Sequence, residues 1–208
     1  MWQYAKVEMD FEYRLCGSQP LNKEIVGPWL ESRMPKEKPE GGKSIEEIKE
    51  EVLASIDGVQ DKITLGFQSN DGGLFVRSGT IKSHLKDCAN QIKDTFKPEI
   101  KAFRSKVANK LFIEKYAVEL LKSGKRVIET DGIYDQPVHV MTPQGPRDGL
   151  KKIQYIEKPS IVFTMKLLID KEIKKEHIYQ IFEYGTIHGY GGERGMGEGR
   201  YKFKIEWQ

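Results

Sequence analysis

The chain has 208 residues, 38% hydrophobic and 31% charged, with 34 basic against 31 acidic side chains and a net charge of +3. That composition suits one domain with a real core and excludes wholesale disorder. No run approaches the ~20 apolar residues that span a bilayer, and the opening Met1-Trp-Gln-Tyr-Ala-Lys-Val-Glu8 lacks the apolar stretch of a secretory leader. Cys16 and Cys88 form neither a CxxC nor a disulfide framework, so a reducing, cytoplasmic setting with no membrane partner, cofactor or structural zinc is expected.

From Lys6 to Leu15 the chain alternates: Val7, Met9, Phe11, Tyr13 and Leu15 on one side, charged residues on the other. This predicts a half-buried strand. Gly17 to Lys43 is rich in proline, glycine and charge and predicts a surface loop. Ser44-Ile-Glu-Glu47 predicts a helix start, because the serine hydroxyl and Glu47 can cap reciprocally. Apolar residues at helical spacing predict helices over Thr80–Ile92 and Glu99–Leu121, with Pro98 between them. Arg126–Thr130 is a short candidate strand. Asp131 to Lys158, punctuated by Asp-Gly and Thr-Pro, predicts an irregular projecting hairpin. Ile161–Ile169 is almost continuously apolar and predicts a central strand. Lys174 to His188 predicts the last helix, and Tyr201 to Trp207 alternates as the last strand.

The order is β-α-β-β-α-β, the ferredoxin-like or RRM-like α+β arrangement with helices on one face of a sheet. The expected domain is single, residues 1–208, with a large insertion after the first strand (about 17–75) and the hairpin insertion at 131–158. The sheet's other face is expected to be free to bind something.

Several motifs fail on context. Gly42-Lys43-Ser44 ends like a phosphate loop, but Glu37 stands where the first glycine belongs and no strand precedes it. The glycines from Gly189 to Gly199 follow a helix and open a strand, the reverse of a dinucleotide fingerprint. His84, His139, His177 and His188 lie far apart, so no metal site is indicated.

The strongest local signal is Gly189-Tyr-Gly-Gly-Glu-Arg-Gly-Met-Gly-Glu-Gly199, in which six of eleven residues are glycine, followed by Arg200. Glycine lets a ligand approach main-chain N–H groups, and Arg194 and Arg200 offer donor forks that match phosphate. A turned connection is the plain alternative; the two arginines with Tyr190 point instead to an anion or nucleic-acid backbone. Lys82, Lys86, Lys93, Lys97, Lys101, Arg104, Lys106 and Lys110 form a basic series with few acidic residues nearby in sequence, which attracts a polyanion. Tyr4, Tyr13, Tyr190 and Tyr201 are candidates for stacking on bases. His84 and His188 are the only plausible acid–base pair for metal-independent RNA cleavage. Asp131, Asp135 and Asp148 are better read as turn formers than as metal ligands. Residues 1–100 carry 14 basic and 17 acidic side chains, net −3, and residues 101–208 carry 20 and 14, net +6, so the basic excess lies in the half with the glycine loop.

The run Gly-Tyr-Gly-Gly-Glu-Arg-Gly-Met-Gly-Glu-Gly-Arg-Tyr-Lys-Phe after a helix resembles the C-terminal signature of the RAMP superfamily, the RRM-like RNA-binding proteins of CRISPR effector complexes. Val76-Arg-Ser-Gly-Thr-Ile-Lys-Ser-His-Leu-Lys86 is similar to the entry of the first helix in the family's backbone subunits, although Ser83 stands where a further glycine is usual. The Leu15-Cys-Gly-Ser18 exit fits the opening strand less specifically. The resemblance implies an antiviral-defence protein whose partners are guide-type single-stranded RNA and other copies of itself or RAMP-like subunits. It places Tyr190, Gly191, Gly192, Arg194, Gly195, Gly197 and Arg200 beside RNA, with Arg77, Lys82, His84 and Lys86 near its backbone. Arg147, Lys151 and Lys152 would serve in the hairpin. A non-catalytic RNA binder is the preferred expectation. The alternatives are a metal-independent endoribonuclease using His84 or His188, and an assembly protein whose glycine loop makes a subunit contact.

Overall fold

The computed structural model describes residues 1–21, 63–96, 99–142 and 145–208, and the side chains among them other than 63 and 138–149. The helix expected from Ser44, Pro98 and most of the Gly17–Lys43 loop lie outside the described residues. The chain divides into two compact units, one of residues 1–16, 68–131 and 155–208 and one of residues 17–67 and 132–154.

The first unit is an antiparallel sheet with helices on one face. Its strands are β1 (Trp2–Phe11), β2 (Arg14–Cys16), β5 (Gln68–Asn70), β6 (Gly73–Arg77), β7 (Leu111–Ile113), β8 (Ala117–Lys122), β9 (Lys125–Arg126), β12 (Ser160–Leu168) and β13 (Tyr201–Trp207). The helices are α1 (Ser78–Gln91), α2 (Phe103–Lys110) and α3 (Lys175–His188). The main sheet runs β13-β1-β12-β8-β6-β5, with β7 also on β12 and β9 on β8. Its first four strands, β13-β1-β12-β8, have the strand order of a ferredoxin-like sheet, and the fold is α+β.

Alternation decides which face is covered. Ala5, Val7, Met9 and Phe11 of β1 are buried, as are Ile161, Phe163, Met165 and Leu167 of β12. The helices bury Ile81, Leu85 and Cys88 of α1, spaced four and three residues apart, and Ile178, Ile181 and Phe182 of α3.

The first strand begins and ends earlier than the expected Lys6–Leu15, spanning Trp2–Phe11. The chain bends at Glu12–Tyr13, where the Lys158 amide donates to the Tyr13 carbonyl at 2.7 Å and the Glu12 amide to the Arg200 carbonyl at 2.9 Å. Tyr13 therefore turns out, 61% exposed. Beyond the bend, β2 pairs with the end of β11 (Gly145–Glu157), Leu15 opposite Ile156.

The helix expected over Glu99–Leu121 spans only Phe103–Lys110. Residues 111–113 and 117–122 are strands, separated by a turn in which Lys115 takes φ 64°. Leu111 pairs opposite Leu167 and Leu120 opposite Ile161, so these strands supply the second position of the fold. Ser123 and Gly124, both with positive φ, make the two-residue turn back into β9. Only Arg126 of the expected Arg126–Thr130 strand is paired, because Val127 instead exchanges amide and carbonyl with Leu120 and Leu74.

The second unit contains β3 (Gln19–Pro20), β4 (Ile63–Gly66), β10 (Gly132–Thr142) and β11 up to Gln154, in the order β10-β11-β4-β3. The stretch expected as an irregular hairpin is thus two long strands, and β11 lies parallel to β4.

Leu120→Ala should lower stability by about 2–5 kcal/mol, as for a leucine emptied from a packed core. Urea unfolding measures it; a cost below about 1 kcal/mol would contradict the inward placement of Leu120 on a strand.

Candidate functional site

The glycine loop begins where α3 ends. Gly189 has φ 76° and Gly199 has φ 72°. The Tyr190 amide donates to the Gly199 carbonyl at 2.8 Å, and the Gly199 amide to the Arg14 carbonyl at 2.9 Å. A Cβ on Gly199 would lie 1.9 Å from the Tyr190 carbonyl oxygen, and one on Gly189 2.6 Å from that of Glu198. These glycines are required by close backbone approach. Gly191, at φ 92°, lies against the Cys16 carbonyl, to which the Gly192 amide donates at 2.9 Å. Glu198 is buried and ion-paired with Arg14.

Between these anchors Arg194–Met196 make one 3-10 turn that stands exposed, flanked by Glu193 and Gly197 in left-handed conformation. A Cβ on Gly195 would meet nothing within 4 Å. An open depression of about 500 Å³ is lined by His188, Gly191, Glu193, Arg194 and Gly195.

Arg194 is held by His188 and by Asp87, which the sequence did not single out. Its Nη1 lies 3.3 Å from Asp87 Oδ2 and 2.8 Å from His188 Nε2, while His188 Nε2 lies 3.0 Å from the same Asp87 oxygen. One ring nitrogen either donates to Asp87 or accepts from Arg194, so a hydrogen on His188 Nε2 costs Arg194 one of its two acceptors. Burial opposes ionisation of Asp87, but the hydrogen bonds from His188 and Arg194 outweigh it and hold its carboxyl below the usual range.

Behind this cluster is a buried polar contact. His84 is 5% exposed, its Nε2 2.9 Å from the Tyr201 hydroxyl. The Cys88 sulfur lies 3.8 Å from both ring nitrogens. Gly185 makes room: a Cβ there would fall 2.1 Å from the Tyr201 hydroxyl. Burial, with repulsion from His188 and Arg194, lowers the His84 pKa to about 3. Burial thus favours the neutral form of His84 and keeps its ring away from the surface. Its ring stacks on His188 at 6.0 Å.

Tyr190 and Tyr201 are 4% and 1% exposed, so neither offers a face to a base. Tyr190 packs against Phe11 and His84, and its hydroxyl shares a 2.6 Å hydrogen bond with Thr80 in the first turn of α1.

Arg200 is exposed, and among the described residues its guanidinium has no ion-pair partner. Lys82 and Lys86 are half-buried on α1; Lys82 lies over the Phe112 ring at 4.2 Å, and burial with repulsion from Lys86 lowers its pKa. Arg77 stands at the N-cap position of α1 in extended conformation. The basic series is broken: Lys106 pairs with Glu172 at 2.5 Å and Lys110 with Asp170, acids that arrive from the turn before α3. Lys151 and Lys152 are consecutive on β11 in the second unit and so face opposite sides of their sheet. The side chains of Arg147 and Asp148 lie outside those described. Asp131 accepts from Lys122 and from the Glu157 amide, a structural role. Among the described residues no group of three or more His, Cys, Asp or Glu is arranged to hold a metal ion.

No family model matches the chain and no curated protein matches it. Among solved structures, a chain of "Cryo-EM structure of the Type III-B Cmr-beta bound to cognate target RNA" superposes with a TM-score of 0.44 at 10% identity, over 99% of this chain and 60% of that one. The present chain therefore spans only 60% of that neighbour's length. A chain of "Type IV-B CRISPR Complex" gives a TM-score of 0.48 at 8% identity, over 98% of this chain and 90% of that one.

Gly199→Ala should cost at least about 2 kcal/mol of stability and Gly195→Ala less than about 0.5, a contrast read by thermal unfolding. Because the folded pKa of His84 is depressed, its neutral state favours folding above the unfolded value near 6.5, and stability is lost as pH falls from there towards about 3. At pH 5 the loss is roughly 2 kcal/mol. His84→Gln should flatten that part of the stability–pH curve, and an unflattened curve would assign the acid sensitivity elsewhere.

Proposed function

We propose that this protein binds single-stranded RNA at the tip of the glycine loop, without cleaving it, as a subunit of a CRISPR-effector-type assembly of the RAMP kind. The observation that carries the reading is a turn of exposed backbone held on fixed anchors, with the guanidiniums of Arg194 and Arg200 inside and beside it. Such donors read phosphates, which gives affinity with little sequence preference. Lys86 on α1 is a further cation without an ion-pair partner among the described residues. The RNA is guide-type by the sequence resemblance, which also supplies the expectation of neighbouring RAMP-like subunits or further copies of this chain. Burial of His84 counts against the endoribonuclease reading, because a base and an acid must both reach the phosphodiester.

Arg194→Ala with Arg200→Ala should weaken binding of a labelled unstructured RNA about tenfold or more at low salt, since a charge-assisted hydrogen bond is worth about 1.5–3 kcal/mol. The slope of log affinity on log salt should become shallower by about 0.7 for each phosphate no longer neutralised. Fluorescence anisotropy across a salt series measures both. Unchanged binding removes the loop as the site, and cleavage that His188→Ala abolishes would replace binding with catalysis.

A further inference from the structure

The helix-free face of the sheet is not uniform. Even-numbered residues of β1 point to it, and strand register sets Trp2 opposite Leu168, Tyr4 opposite Lys166, and Lys166 opposite Phe112. Three strands thus bring two aromatic rings and a lysine into one row, with Trp2 beside it. The Trp2 and Phe112 rings meet edge to face at 5.8 Å, yet the residues remain 43% and 42% exposed. Lys166 Nζ lies 4.8 Å from the Trp2 centroid and 5.2 Å from that of Tyr4, and Lys82 reaches Phe112 from α1. Neither lysine has an ion-pair partner among the described residues. Further along, the same face carries Glu8, Asp10, Lys202, Lys204 and Glu206, where Lys204 pairs with Glu206 at 2.6 Å. The rings of Trp2, Tyr4 and Phe112 are gathered at one corner, together with Lys166.

We propose that this corner, Trp2, Tyr4, Phe112 and Lys166, is a stacking platform for the unpaired bases of a single-stranded nucleic acid. A ligand that fits must present a flat π surface to half-exposed rings and a negative charge to two unpaired ammonium groups within about 6 Å of them, which a nucleotide does. Base stacking on aromatic side chains is tolerant of sequence, as is phosphate recognition by the loop arginines. A second copy of the chain fits worse. A two-fold contact here would bring Lys166 and Lys82 against their own symmetry mates at the centre of the interface. The platform deepens the RNA-binding reading and takes the identity of its ligand from it.

The test compares two probes, a labelled oligouridylate and an abasic sugar–phosphate oligomer of equal length. Trp2→Leu with Phe112→Leu keeps the apolar bulk and removes the π faces. It should lower affinity for the oligouridylate about tenfold or more and leave the abasic oligomer unchanged. Arg194→Ala with Arg200→Ala should lower both. Should the double leucine variant unfold, as read by its thermal midpoint, Tyr4→Leu reads the same difference on a less exposed ring. An unchanged ratio of the two affinities overturns the platform while leaving the loop reading intact. A dimer in sedimentation that the leucine variant converts to monomer, with no change in base dependence, assigns the corner to a second copy and also overturns it. If the arginine variant changes neither affinity while the leucine variant removes base dependence, the platform stands and the loop reading falls.

Discussion

The closure of the glycine loop at its base is the constraint from which the rest of the site follows. Tyr190 and Gly199 are drawn together by a main-chain hydrogen bond so short of space that neither Gly189 nor Gly199 can carry a side chain. That closure joins the end of α3 to the start of β13, the last helix to the last strand. It also turns Tyr190 into the core, where its hydroxyl ties the loop to the first turn of α1 through Thr80. A loop rich in glycine is ordinarily mobile, because glycine loses the most backbone entropy on ordering. Here Gly189, Gly191 and Gly199 serve close packing rather than freedom, and Gly195, with open space about it, sits at the exposed tip.

Charge is sorted by depth at the same place. His84 and His188 stack, but only His188 shares a carboxylate and an arginine. Placing a proton on both rings would set two positive charges one ring-stack apart, one of them in the core. Burial settles the contest by keeping His84 neutral, with the Tyr201 hydroxyl as its partner. Positive charge is thereby confined to the surface, on His188 when protonated and on Arg194. There Asp87 is the competitor that an incoming phosphate must displace from Arg194.

The parts of this structure that were legible in the sequence are those whose pattern lies within ten or fifteen residues. The alternation of Tyr201–Trp207 and the stripes of α1 and α3 each declare which side is buried. The misreading of Glu99–Leu121 has a definite cause. Leu111, Val118 and Leu121 sit at helical spacing, whereas Val118 and Leu120 also fit a period of two, and the stronger clue was the Ser123-Gly124 turn that follows. Tyr13 fits the alternation of the first strand but falls beyond a bend fixed by hydrogen bonds from Lys158 and to Arg200, which no local pattern reveals. One of the two partners of Arg194 is equally remote. Asp87 lies 107 residues before it and looks like one more charge on a helix. Gly185 reads as a weak point in α3, and only the approach of Tyr201 explains it.

The net charge of the C-terminal half is a poor guide to where an anion would bind. Lys106, Lys110, Lys122 and Arg126 belong to that basic excess, yet each is matched by a carboxylate, from Glu172, Asp170, Asp131 and Glu119. A matched cation offers little to a polyanion, because phosphate must first displace its partner. Among the described residues, Arg200 after the loop, Lys82 and Lys86 on α1, and Lys166 on the open face have no ion-pair partner. Two of these four lie outside residues 101–208, in the half whose sequence is net acidic. Binding is therefore governed by which charges the fold leaves unanswered, and a chain of modest overall charge can still present a strongly basic surface where its acids are spent elsewhere.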